Sequence, residues 1–162
     1  MKRVSWVGSA AGISALALAL GLLAVTSSAA PPSLRLERAP LVGATLEGEQ
    51  YLIAVETPAL QVGKEGALRV SIEGRAGFKF NKDFPLKLEG SEPPAGIDAP
   101  KRLLKRADGA LDEAGKVFTL KVPITAKRAG DYQLEATIKF SVCSEAKCVV
   151  QRQTLRAKVA AQ

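Results

Sequence analysis

In the stretch DYQLEATIKFSV, Asp131 to Val142, every second side chain is apolar. Tyr132, Leu134, Ala136, Ile138, Phe140 and Val142 share one face, and Gln133, Glu135, Thr137, Lys139 and Ser141 share the other. A period of two held this long is that of a strand with one face on a core and one in water. Shorter runs of the same kind recur: SLRLER (33–38), QYLIAVET (50–57), ALRVSIEG (67–74), FKF with PLKLEG (78–90), KVFTLKVPI (116–124) and VVQRQTLRAKV (149–159). About seven short strands separated by turn residues predict an all-β sandwich or barrel. The one departure is IDAPKRLLKRADG (97–109), where Asp98 is placed to cap a short helix through Arg106 that ends before Gly109. Otherwise this run reads as a basic, solvated loop.

The first thirty residues have another character. Lys2 and Arg3 precede an apolar run from Ile13 to Val25, and small residues follow before Pro31. This is the build of a secretory signal peptide cut after Ala29 or Ala30, which predicts a periplasmic or secreted protein. The competing reading is an uncleaved anchor, since no charge intervenes between Arg3 and Arg35. A membrane is a partner only in that case. Removing thirty of the 162 residues leaves 132, residues 31–162, enough for one domain with its own core. Lys2 and Arg3 account for two of the seven net positive charges, so +5 remains. Apart from KRLLKR (101–106) the basic residues are scattered, with no aromatic residue among them to stack on bases, so nucleic acid is not an expected partner.

The chain contains no histidine, and beyond residue 30 it has no tryptophan or methionine. Ser-His-Asp and Cys-His catalysis therefore lack their base. A zinc site would have two thiolates and carboxylates where three or four good ligands are usual. No glycine-rich phosphate loop follows a strand. No metal or organic cofactor is expected, and the residues left for covalent chemistry are Cys143 and Cys148.

Their spacing fixes a register. If Ser144 to Lys147 form a four-residue hairpin loop, Cys143 faces Cys148 and every pair behind them sums to 291. The apolar faces of both strands then coincide, and the two cysteines fall together on the polar face. Gln151 and Gln153 are misfits on the apolar face, which a bulge or an open edge would explain. Opposed α-carbons lie within disulfide range. A loop this short stabilises the fold by only about 2 kcal/mol. The bond is thus either a staple or an exchange-competent pair. Lys147 beside Cys148 and Lys139 on the face of Cys143 favour thiolate, Glu145 opposes it, and the balance points to Cys148 as the attacking thiol. In AGDYQL, Tyr132 stands just after a turn at a strand's start. In immunoglobulin-like sandwiches such a tyrosine closes a corner onto nearby backbone, although an ordinary core tyrosine is equally compatible.

The run VPITAKRAGDYQLEATIKFSVCSEAKCVV, preceded by GFKFNKDFPLKL, resembles the N-terminal periplasmic domain of the thiol:disulfide interchange protein DsbD. The matching elements are Gly77, Phe78, Lys79, Phe80 and Asn81, then Val122, Pro123 and Ile124, then a strand ending in Cys143 with Cys148 beyond. The resemblance spans roughly Glu47 to Val159. It implies an immunoglobulin-like sandwich of about seven strands whose pair Cys143/Cys148 shuttles electrons to exported thiol and disulfide proteins. The chain carries no membrane electron-transfer domain, so a separate exported reductant is expected beside a substrate protein. Val149, Val150 and Gln151 stand where the family has a nearby proline. The segment that shields the pair would be RLLKRADGALDEAGK (102–116), with Leu103, Leu104 or Leu111 in place of the family's aromatic residue.

Overall fold

The structure, a computed structural model, describes residues 43–162. The chain divides into two units, 1–35 and 36–162, and all described residues belong to the second. The signal-peptide reading and the strand expected at 33–38 lie outside them.

Among the described residues eleven strands, more than the seven or so expected, form two antiparallel sheets. The first contains β1 (Ala44–Glu47), β2 (Tyr51–Glu56), β3 (Glu65–Gly74), β6 (Ile97–Asp98), β8 (Gly109–Leu111) and β9 (Val117–Ala126), in the order β1-β2-β3-β9-β6 with β8 also on β9. The second contains β4 (Lys79–Phe80), β5 (Lys87–Gly90), β7 (Leu103–Lys105), β10 (Gly130–Cys143) and β11 (Cys148–Ala161), in the order β11-β10-β5-β7 with β4 also on β10. The result is an immunoglobulin-like sandwich, as expected. Each alternating run supplies its apolar face to the interior: Ile53 and Ile72 from the first sheet meet Leu88, Ile138, Phe140 and Val142 from the second. Two aromatic pairs span the layers. Phe80 stacks on Phe118 with ring centroids 4.4 Å apart, and Tyr51 meets Phe140 edge-on at 5.1 Å.

Pro123 lies inside β9, a position that normally breaks a ladder. On one side it faces Ala67 of β3, and on the other it falls in the gap between the partners β8 and β6.

The helix expected at 97–109 does not form. Ile97–Asp98 and Leu103–Lys105 are extended, and only Arg106–Asp108 makes a 3-10 turn, so Asp98 caps nothing. Leu104 is buried while Leu103 and Lys105 are exposed, an alternation that fits a strand on β5. The turn is instead held by Asp108, whose carboxylate accepts from Lys101 Nζ at 2.6 Å and from the Lys105 N–H at 2.8 Å.

The tyrosine corner is present. Tyr132 Oη donates to the Arg128 carbonyl at 2.9 Å. Its ring occupies the space where a side chain on Gly96 would stand: a Cβ there would lie 2.5 Å from Tyr132 Oη, and Gly96 has φ +110°. Glycine is therefore required at this approach.

Candidate functional site

β10 and β11 run in register for fourteen consecutive pairs, from Gly130↔Ala161 to Cys143↔Cys148, all summing to 291. No bulge interrupts them. Of the two misfit glutamines, the structure explains Gln153. β11 borders its sheet, and Gln153 reaches across the sandwich so that its Nε2 donates to Tyr51 Oη at 2.6 Å. Burial raises the pKa of the Tyr51 hydroxyl above its ordinary value of 10.0. This function of Gln153 leaves only an indirect trace in the sequence, a polar residue on an apolar face, because its partner is 102 residues away.

At the tip Cys143 and Cys148 are bonded, with α-carbons 4.0 Å apart. Ser144 organises the loop between them: its N–H donates to the Lys147 carbonyl at 2.9 Å, and its Oγ accepts from the N–H groups of Ala146 and Lys147 at 3.3 Å. Cys148 is exposed and Cys143 half-buried. The difference follows from topology, because Cys143 lies between two strands, paired with Cys148 on one side and with Lys79 of β4 on the other. An incoming group therefore reaches Cys148 first.

Two lysines and one glutamate, Glu145 of the loop, neighbour the pair in register or sequence. Lys79 is the register partner of Cys143, and Lys147 adjoins Cys148. Lys139, on the cysteine face of β10, has its Nζ 5.8 Å from the centroid of the Phe84 ring. Among the described residues no group of three or more Cys, Asp or Glu side chains gathers where a metal would sit.

The expected shield, 102–116, contributes β7 and β8. Its strands pair with β5 and β9, Leu104 is part of the core, Leu111 packs on the core's margin, and Leu103 is 43% exposed. The segment beside Cys143 is Lys79–Phe80, which pairs with Cys143 and Val142, followed by Asn81, whose N–H donates to the Ser141 carbonyl at 2.9 Å. GFKFN thus flanks Cys143 within the sheet, while its Phe80 turns into the core and stacks on Phe118.

No family model matches the chain, and no curated protein does. Among solved structures, it is similar to AggA, the major subunit of the aggregative adherence fimbriae type I of Escherichia coli. The two are 12% identical over 72% of this chain and 98% of that one, with a TM-score of 0.34. A likeness this loose carries no argument about function.

Proposed function

We propose that Cys143 and Cys148 form the exchange centre of an exported thiol–disulfide interchange protein. The observation that supports this reading is the placement of the bond: it closes an exposed hairpin tip, with Cys148 open to solvent, outside both core clusters. A partner thiolate attacks Cys148 Sγ, the sulfur–sulfur bond breaks, and Cys143 leaves as thiolate. The mixed disulfide is resolved by the partner's second thiol, so the partner is oxidised as the pair gains two electrons. Reduced, the pair reverses these steps on a substrate disulfide, with Cys148 attacking. Lys79 and Lys147 favour the thiolates that form. No metal or organic cofactor takes part. Export is supported by the charge and apolar pattern of residues 1–30, and both partners are then exported proteins.

A second reading, a non-catalytic immunoglobulin-like module with a structural clamp, is favoured by one feature: Cys143 is half-buried between β11 and β4. The reduction potential separates the two. The domain is equilibrated in thiol buffers of graded potential and alkylated thiols are counted by mass. Exchange predicts a value between about −120 and −270 mV. A value below about −300 mV overturns it in favour of the clamp.

A further inference from the structure

Among the described residues, β11 has a partner strand, β10, on one side only. On the other, the Leu60 N–H donates to the Ala160 carbonyl at 2.9 Å and the Gln162 N–H to the Leu60 carbonyl at 3.0 Å. Ala160 and Gln162 therefore turn their backbone groups away from β10. Backbone direction alternates along an antiparallel strand. Val150, Arg152, Thr154, Arg156 and Lys158 hence turn theirs the same way, and among the described residues no backbone partner meets them. An edge this long, without proline or bulge, is a template for another strand.

Both sides of that edge have a defined chemistry. All five residues are exposed on the outer face, which is basic: Arg152 stands opposite Lys139, Lys158 opposite Gln133, and Arg156 pairs with Glu135 at 2.9 Å. On the inner side a groove of about 200 Å³ runs between β1 and β11, lined by Leu46, Ile53, Val55 and Leu155 among others. A strand laid on β11 would alternate between cations and this apolar groove.

We propose that the edge from Val150 to Lys158 is a strand-addition site for an extended segment of a partner protein in which acidic and apolar residues alternate. The site needs neither cysteine and stands apart from the exchange reading. A second copy of this chain is a poor occupant, because two such edges would oppose Arg152, Arg156 and Lys158 to one another.

The test titrates the purified full chain with a peptide of four Glu-Val repeats, against a control of four glutamates followed by four valines, and follows amide exchange by NMR. The repeat peptide is expected to slow the five outward amides at least about tenfold while the control does not. Thr154→Pro removes one outward N–H and spares the β10 ladder, so binding falls about tenfold while cross-strand signals persist. Arg152→Glu with Arg156→Glu transfers the preference to a Lys-Val repeat, and serves also if the proline variant does not fold. Equal binding of the control, or binding that survives both variants, overturns the proposal. So do outward amides already slow in the free chain, whether another part of the chain or a second copy covers them.

Discussion

Reduction of the Cys143–Cys148 bond tests whether the sandwich depends on it. The bonded residues are five apart in sequence. Closing so short a loop restricts the unfolded chain by about 2 kcal/mol. For a domain the size of residues 43–162, with unfolding entropy near ~2.1 cal/mol/K per residue, that corresponds to about 8 °C in Tm. The folded, reduced protein should therefore persist, because fourteen register pairs hold β10 to β11 without the bond. Thermodynamic closure adds a second number. At ~30 mV per 1.4 kcal/mol, the pair should be about 45 mV more negative in the folded chain than in the urea-unfolded chain. Urea melts of oxidised and reduced protein, followed by far-UV circular dichroism, give the first quantity, and alkylation counts in thiol buffers with and without urea give the second. A loss above about 5 kcal/mol, or a domain that unfolds on reduction, would refute the claim that the ladder alone carries the hairpin. A potential difference at odds with the melts would refute the loop-entropy account.

Tyr132→Phe deletes the corner hydrogen bond and should cost about 1 kcal/mol in urea melts, with the strand order unchanged. Gln153→Leu leaves the buried Tyr51 hydroxyl without its donor and should cost about 1–3 kcal/mol. Combined with Tyr51→Phe, the loss should fall short of the sum of the single changes, and additivity in the double-mutant cycle would refute the coupling. Ser141 is 1% exposed, and among the described residues its Oγ has no hydrogen-bond partner. Ser141→Ala should therefore be neutral or stabilising in the same melts. The hydrogen bond from Lys101, then that from the Lys105 N–H, holds the Asp108 carboxyl below its ordinary 3.8. A lowered pKa lends its stability above the ordinary value and loses it as pH falls through the folded value. NMR shifts of residues 105–109 should therefore change only in acid below about 3.8, and Asp108→Asn should abolish that step.

Period-two patterning sufficed for β2, β3, β9, β10 and β11, because each is long enough for alternation to stand out and has one face on the core. The cysteine register was legible for the same reason: a four-residue loop leaves one alignment in which both apolar faces coincide. The short strands β6, β7 and β8 were not. Two or three residues carry no period, and in KRLLKR the consecutive leucines imitate a helical stripe although one is core and the other solvent-facing. Gln153 was legible only as an anomaly, since its partner Tyr51 belongs to the opposite sheet. That Lys79–Phe80 flanks Cys143 was not legible for a related reason: which segment pairs beside a strand is set by sheet order, and no local pattern encodes it.

The same strand serves core and site through opposite faces. Ile138, Phe140 and Val142 of β10 point into the sandwich, and Lys139, Ser141 and Cys143 point out of it. Substitutions on one face should therefore leave the other largely unmoved, except at Ser141. That residue points outward yet is buried, and its carbonyl holds Asn81. The outer face is thus buried at Ser141 of β10, two residues before Cys143, and open at Cys148 of β11. This asymmetry comes from one strand pairing, β4 on β10, and gives two chemically identical sulfurs different access. On the exchange reading, Cys148 is the sulfur that meets a partner, and Cys143 is the sulfur that leaves and returns.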